Sequence, residues 1–125
     1  MARILVVEDS PTLVSTVEIM LRKYGHDVLV ARNGLTALSS VRVLAPELVL
    51  LDIMLPHVNG LEVCDIIKRN PAYKSLPIII MSGLNHQEDL ERAYDVGANA
   101  YIIKPFDEQH LIETVQQQLV AHYVA

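Results

Sequence analysis

The chain has 125 residues, of which 51% are hydrophobic and 20% charged, and its formal net charge is −5. This length and composition suit one globular domain over residues 1–125. The Lys and Arg residues are scattered along an acidic chain, which argues against direct binding of nucleic acid. The apolar runs are much shorter than the roughly 20 residues that span a bilayer. Because residues 1–9 also lack the pattern of a signal peptide, we expect a cytoplasmic protein.

Five short apolar segments predict strands, and they cover residues 3–7, 27–31, 47–51, 77–81 and 100–103. Three of them contain the runs ILVV, LVLL and IIIM, which are apolar without alternation. Strands that are covered by helices on both faces have this pattern. A parallel sheet is therefore predicted.

Amphipathic segments between and after the strands predict five helices, at residues 11–24, 34–44, 61–69, 87–96 and 107–122. The first is expected to start at Ser10 and Pro11 and to end at Gly25. Proline in the pair Asn70-Pro71 ends the third. The apolar residues expected on the first, second and fifth helices are Leu13, Val17, Met20, Leu21 and Tyr24, then Leu35, Leu38, Val41 and Val43, then Leu111, Ile112, Val115 and Leu119.

One cysteine and five histidines are present. Cys64 lies in an apolar helical pattern and is interpreted as a buried structural thiol. A single cysteine excludes an internal disulfide and a CxxC pair. No two histidines have the i, i+4 spacing of a helical metal pair, so all are expected in loops or on the surface: His26, His57, His86, His110 and His122.

Strict alternation of five strands and five helices predicts an α/β fold, a doubly wound (βα)5 flavodoxin-like sandwich with a parallel sheet of order 2-1-3-4-5. Functional sites in such sheets lie beyond the carboxyl ends of the strands, where the strand order reverses. Glu8 and Asp9 follow the first strand and Asp52 follows the third. Ser82 and Lys104 come at the ends of the fourth and fifth strands, on the same edge.

Three carboxylates in one crevice raise each other's pKa values unless a cation neutralises them. Two cations are candidates for this role: a hard external ion such as Mg²⁺, which prefers oxygen ligands, and the side chain of Lys104. With the hydroxyl of Ser82, these groups would cradle a transferring phosphoryl group. Asp52 would be its nucleophile and form an acyl phosphate. Each residue alone is better explained as a helix cap or loop residue, and only their conjunction favours a site.

Four segments resemble the receiver domain of bacterial two-component response regulators: ILVVEDSP, LVLLDIMLPHVNG, PIIIMSG and GANAYIIKPF. The resemblance covers essentially the whole chain. It implies that Asp52 is the phosphoacceptor, that Asp9 and the backbone carbonyl of Met54 bind Mg²⁺ directly, and that Glu8 acts mainly through a metal-bound water. Ser82 and Lys104 would then bind the phosphoryl oxygens.

The resemblance also assigns a conformational switch. Tyr101 matches an aromatic position that faces outward in the resting state and turns inward as Ser82 moves toward the phosphoryl group. The alternative is an edge-strand tyrosine that only covers the core. Lys104-Pro105 is a candidate cis peptide bond. Pro56 and Gly60 match the loop after the phosphoacceptor, where glycine can adopt turn conformations that other residues resist.

A sensor histidine kinase or phosphotransfer protein is the phosphoryl donor that the resemblance implies. Output is expected through a downstream protein at the face formed by the fourth helix, fifth strand and fifth helix, and a homodimer through that face is an alternative. Such a chain is a signalling domain, with self-phosphorylation and autodephosphorylation as its only reactions. No effector domain follows, so a stand-alone regulator is expected.

Two positions that flank the phosphoryl group, Met54 and Leu84, are apolar here, whereas receivers often carry polar residues at one or both. We hypothesise that these side chains crowd the attacking water and prolong the life of the acyl phosphate.

Three other protein classes were considered. A pseudo-receiver that never carries phosphate would usually lack one of the site residues, all of which are present. A flavodoxin-like flavin carrier needs a phosphate loop after the first strand, where Glu8 and Asp9 would repel phosphate. An Mg²⁺-dependent phosphohydrolase would carry a second acid where Pro11 stands. A GxxxxGK[ST] nucleotide-binding loop is absent from the sequence.

Overall fold

The computed structural model describes residues 2–124. Its strands are β1 (Arg3–Val7), β2 (Asp27–Ala31), β3 (Leu48–Asp52), β4 (Ile78–Ser82) and β5 (Ala100–Ile103). Its helices are α1 (Pro11–Lys23), α2 (Gly34–Leu44), α3 (Gly60–Arg69), α4 (Gln87–Asp95) and α5 (Glu108–Val124), with a short 3-10 helix at Pro71–Tyr73. All neighbouring strands pair in parallel, in the order β2-β1-β3-β4-β5. The predicted fold class and strand order are confirmed.

The sheet separates two apolar cores, because successive residues of each strand point to opposite faces. Ile4, Val6 and Leu50 face the layer of α1 and α5. Leu5 and Leu51 face the layer of α2, α3 and α4. Burial on both faces explains why the strand sequences are apolar without alternation.

Two strands lie one residue later than predicted. β4 begins at Ile78 because Pro77 has no N–H to donate to the ladder. At the other end, Asp52 pairs with Met81 and Ser82 pairs with Ile103. The ladder therefore extends through Asp52 and Ser82, which makes both residues part of the sheet and fixes their backbone positions.

The predicted helix limits are correct to within two residues. The Oγ of Ser10 accepts the N–H of Leu13 at 3.3 Å, and Pro11 opens α1 as expected. Asp107 is the residue before α5 rather than its first residue, since its carboxylate accepts the N–H of His110 at 2.8 Å as a cap. The turns after α1 and α4 use Gly25 and Gly97 at positive φ, where glycine has no steric penalty.

Some core expectations for the helices were wrong. Val14 is buried on α1, whereas Tyr24 is 45% exposed. On α2 the buried face contains Ala37 and Val41, while Leu35 and Val43 point to solvent with 71% and 68% exposure. Val41 was therefore placed correctly, whereas apolar identity alone did not identify the small buried residue Ala37. The prediction for α5 is confirmed, since Leu111, Ile112, Val115 and Leu119 are all buried.

His26 lies in the loop before β2, as expected, but it is buried at the amino end of the sheet with only 4% exposure. Its Nδ1 accepts the N–H of Ala2 at 3.2 Å. The predicted burial of the Cys64 thiol is confirmed, and burial raises its pKa to about 11.

Within residues 2–124, no helix is both long and apolar enough to cross a membrane.

Candidate functional site

Two buried carboxylates and one lysine meet at the carboxyl edge of the sheet. Glu8 follows β1 and Asp52 ends β3, and they are 3% and 5% exposed. Lys104 follows β5 and reaches between them. Its Nζ lies 2.8 Å from Oε1 of Glu8 and 3.4 Å from Oδ2 of Asp52. The carboxyl ends of β1, β3 and β5 lie on one edge of the sheet and thus bring together residues that are distant in the chain.

Glu8 uses both of its carboxylate oxygens inside the protein. While Oε1 holds Lys104, Oε2 accepts the backbone N–H groups of Asp9 and Ser10 at 3.1 and 3.2 Å. The side chain therefore orders the connection to α1 as well as holding the lysine. A direct bond from Glu8 to a metal would replace one of these interactions, which favours an indirect role for this residue.

The charge of the site is not balanced by the lysine alone. Burial raises the pKa of Asp52 to about 6, with a further upward contribution from Glu8; the ammonium of Lys104 and the N–H of Met54 act in the opposite direction. Oδ1 of Asp52 accepts that N–H at 3.3 Å. A carboxyl with a raised pKa marks a site where more positive charge would stabilise the ionised form.

Asp9 does not join this cluster. Its side chain is exposed at the rim, and the described residues contain no group of three Asp, Glu, His or Cys side chains placed to hold a metal. The expectation of three converging carboxylates is thus corrected to two. The hard oxygen atoms of Asp9, Asp52 and the Met54 carbonyl, with the excess negative charge, nevertheless fit a Mg²⁺ ion in their chemistry.

Ser82 and Tyr101 are linked through the backbone of Leu84. The Oγ of Ser82 accepts the N–H of Leu84 at 3.1 Å, and the hydroxyl of Tyr101 donates to the Leu84 carbonyl at 2.7 Å. Tyr101 is half-buried and packs on the core of the α2, α3 and α4 layer. Burial raises its pKa, and the carboxylates of Asp89 and Asp52 contribute to the rise. A displacement of Ser82 would thus also shift Tyr101, because both side chains bind the backbone of Leu84.

The loop after Asp52 passes very close to β3, and this explains Gly60. A Cβ on Gly60 would lie 2.0 Å from the backbone carbonyl oxygen of Asp52, far inside any allowed contact. Its N–H also donates to the carbonyl of Ile53 at 2.7 Å. Close approach, rather than the turn conformation expected from the sequence, therefore requires glycine here. In this loop the positive φ belongs to His57, at 67°.

The side chains that flank Asp52 differ in exposure. Met54 is 67% exposed, while Leu84 is half-buried. Both border the site through the backbone contacts described above. The peptide bond Lys104-Pro105, the candidate named from the sequence, is cis.

An apolar hollow of about 410 Å³ adjoins the site between α1 and the loop before α5. Its lining includes Leu13, Met20, Lys104 and Phe106. Lys104 is shared between this hollow and the carboxylate cluster, so a partner seated in the hollow would be in reach of Asp52.

Sequence reasoning missed two polar residues near the site. Arg32 directly follows β2 and its Nη2 donates to the backbone carbonyl of Asp9 at 2.9 Å; its place after a strand on the same edge was the available signal. Asp89 is buried in the first turn of α4. The spacing His86-x-x-Asp89, typical of an acid that caps a helix start, was the signal for that residue.

Residues 4–116 match the family model described as the response regulator receiver domain. Protein PilG of Pseudomonas aeruginosa is 34% identical over 114 residues, which are 91% of this chain and 84% of PilG. The DNA-binding response regulator MtrA of Mycobacterium tuberculosis is 39% identical over 117 residues, which are 94% of this chain but 50% of MtrA. The chain thus spans about half the length of MtrA.

Solved structures show the same fold. The chemotaxis protein CheY4 of Vibrio cholerae superposes with a TM-score of 0.88 and 27% identity over 94% of this chain and 98% of that one. A CheY-like response regulator receiver domain protein of Methanospirillum hungatei gives a TM-score of 0.92 and 25% identity, with 98% and 97% of the two chains covered.

Proposed function

The chain belongs to the response regulator receiver family and is a receiver domain of a two-component phosphorelay, and from this premise we propose that Asp52 is its phosphoacceptor. The observation that carries the proposal is the contact of Lys104 with both buried carboxylates at the carboxyl edge. A buried carboxylate at a strand end, next to a fixed ammonium and a serine hydroxyl, is suited to attack phosphorus and to stabilise the charge that develops on the phosphoryl oxygens.

In the proposed step, a carboxylate oxygen of Asp52 attacks the phosphorus of a phosphohistidine on a sensor kinase or phosphotransfer protein. The P–N bond breaks, and the imidazole leaves with its electron pair. Lys104 and the hydroxyl of Ser82 then bind oxygens of the acyl phosphate. For Lys104 this means leaving Asp52 for the phosphoryl group while Glu8 keeps it at the site.

Receiver domains generally bind Mg²⁺, and we propose that Asp9, Asp52 and the backbone carbonyl of Met54 hold it here, with Glu8 acting through water. The ion would neutralise charge that Lys104 alone leaves unbalanced. The raised pKa of Asp52 supports this need. Arg32, bound to the carbonyl of Asp9, would fix the backbone of the loop that presents the Asp9 carboxylate.

We further propose that the donor protein docks over the hollow between α1 and the loop before α5, since this hollow borders Lys104. Output would pass to a protein partner through α4, β5 and α5. Nucleic acid is the less suited partner, because the chain has a net charge of −5 and scattered basic residues. Self-phosphorylation and autodephosphorylation would be its only reactions.

The test is to incubate the protein with Mg²⁺ and acetyl phosphate and to measure its intact mass. We expect one added phosphoryl group in the parent and none in Asp52→Asn. Asp65→Asn, which changes a half-exposed acid on α3 outside the site, is the matched control and should accept phosphate like the parent. An unmodified parent that does bind Mg²⁺ and beryllofluoride would overturn the assignment and favour a pseudo-receiver.

A further inference from the structure

Three acidic side chains are buried among the described residues, and two of them, Glu8 and Asp52, belong to the site. The third is Asp89, in the first turn of α4, which is 6% exposed. Buried carboxylates are rare unless they have partners. Asp89 lies outside the cluster of Glu8, Asp52 and Lys104, so the contacts of that cluster do not account for its burial.

Each carboxylate oxygen of Asp89 has a defined partner. Oδ2 accepts the backbone N–H of His86 at 3.1 Å, and Oδ1 accepts Nη2 of Arg92 at 2.8 Å. The Arg92 side chain is 65% exposed, so solvent screens the ion pair and weakens it. The bond to the N–H of His86 joins the side chain of Asp89 to the preceding loop, beside the backbone N–H groups of Asp89 and Leu90, which donate to the His86 carbonyl at 3.0 and 3.3 Å.

That loop is fixed at three points within five residues. Ser82 binds the N–H of Leu84, and Tyr101 binds the carbonyl of Leu84. Asp89 then binds the N–H of His86. The phosphoacceptor edge, the β5 tyrosine and the start of α4 are thereby connected through one short stretch of backbone.

The remaining contacts of α4 with the core are small. Besides Asp89, its buried residue is Ala93. On α5, by contrast, four large aliphatic residues are buried. Burial of apolar area is the main force that holds a helix on a sheet, so α4 depends on its polar first turn far more than α5 does.

We propose that Asp89 is a positioning residue that fixes the start of α4 to the Ser82–His86 loop, so that movement of Ser82 on phosphorylation is passed to α4. The inference rests on the proposed function of Asp52. Without the Asp89 bond, the segment between Leu84 and α4 would be freer to move. The same displacement of Ser82 would then reach Tyr101 but would not be passed to α4.

The experiment compares hydrogen–deuterium exchange in residues 87–95, with and without acetyl phosphate and Mg²⁺, while intact mass reports phosphorylation. In Asp89→Ala we expect exchange of these amides to rise about fivefold before any donor is added, as for loss of a helix cap. We also expect donor to change their exchange in the parent but not in this variant, although both gain one phosphoryl group.

Two further variants separate positioning from general damage. Asp89→Asn keeps an oxygen that can accept the N–H of His86 and should restore the response of α4. Glu88→Ala removes the neighbouring exposed acid from the same turn and should behave like the parent. Urea unfolding of each variant checks that it is folded.

The proposal is overturned if Asp89→Ala and Glu88→Ala give the same exchange in residues 87–95 and the same response to donor. It is also overturned if Asp89→Asn fails to restore the response while remaining folded. A parent that gains no phosphoryl group is a separate result, visible in the mass alone. That result would refute the assignment of Asp52 and, with it, the transmission that depends on it.

Discussion

Ionisable side chains are buried at both edges of the sheet, but their partners and the direction of their pKa shifts differ. At the carboxyl edge, Asp52 and Glu8 share one lysine and the pKa of Asp52 rises to about 6. At the amino edge, burial lowers the pKa of His26, whose Nδ1 is bound by the N–H of Ala2. One edge retains excess charge, and the other keeps its buried group neutral.

The difference shows where the domain keeps a charge imbalance. The buried imidazole of His26 accepts a backbone bond at Nδ1, while its buried Nε2 has no hydrogen-bond partner among the described residues. A neutral ring nevertheless leaves no charge imbalance at that edge. Two carboxylates beside one ammonium are better satisfied when another cation arrives. The carboxyl edge is therefore the place where an added cation would be most favourable.

Removal of the shared cation should produce the largest effect at the carboxyl edge. In Lys104→Met, we expect the rate of phosphorylation by acetyl phosphate to fall about 100-fold, because a fixed positive charge is lost from the transition state. The measurement is the time course of intact mass. Lys23→Met, which removes an exposed lysine paired with Glu108, should stay close to the parent. Comparable rates in the two variants would contradict the assigned role.

Removal of the Asp52 charge should stabilise the fold at neutral pH in metal-free buffer. The pKa of Asp52 is about 6 in the folded state against an ordinary 3.8, so folding favours its protonated form. Its contribution to stability is full below pH 3.8 and is lost as pH rises through 6. We expect the free energy of unfolding of Asp52→Asn to exceed that of the parent by about 1–3 kcal/mol at pH 7. The two values should converge near pH 4.

Urea unfolding at several pH values measures that difference. Asp65→Asn again provides the control, since this acid lies outside the site and its side chain is 37% exposed. If the difference in free energy of unfolding between Asp52→Asn and the parent stayed constant from pH 4 to 7, the charges at the carboxyl edge would already be balanced.

The lifetime of the acyl phosphate measures how readily water attacks the phosphoryl group at the carboxyl edge. If Met54 and Leu84 shield the phosphoryl group, Met54→Asn with Leu84→Glu should dephosphorylate about tenfold faster, because a polar group can then orient water. The decay of the phosphorylated mass after donor removal gives the rate. Ile66→Asn, at an exposed position on α3, controls for added polarity. Equal decay in all three proteins would reject the shielding hypothesis.

The smallest effect is expected at the amino edge. The folded-state pKa of His26 lies below its usual 6.5, so the unfolded chain binds the proton more readily. Stability from this group is present above pH 6.5 and is lost as pH falls below it. Relative to His26→Asn, the parent should lose stability as pH falls from 7 to 5, because burial disfavours the charged form of the ring. Urea unfolding would show this, and His110→Asn, at an exposed position, should follow the parent.

The fold was predictable because its determinants are local and repeated. Apolar runs such as ILVV and IIIM, Pro11, Gly25 and Gly97 fix strands and turns through short-range effects. The helix faces were harder, since Leu35 and Val43 look like core residues, although the inward face of α2 is formed by Ala37 and Val41. Steric fit between elements is not visible in a single sequence.

The position of the candidate site was predictable from topology, because parallel strands end at one edge. The contacts within it were not. The bridge from Lys104 to Glu8 and Asp52, the exposed side chain of Asp9 and the bond from Asp89 to His86 depend on rotamers and loop paths. The burial of His26 escaped prediction for the same reason, since its environment comes from the preceding turn and from Ala2.

Four separate stretches of chain supply Glu8, Asp52, Ser82 and Lys104, and the last of them comes from β5. A chain that is still being synthesised and has emerged only through β4 already contains Asp52, the proposed acceptor. It lacks the lysine that offsets the two carboxylates, and it lacks the edge strand that carries Tyr101. If Asp52 is the acceptor, a phosphoryl group would therefore find its full set of partners only after the last strand has joined the sheet.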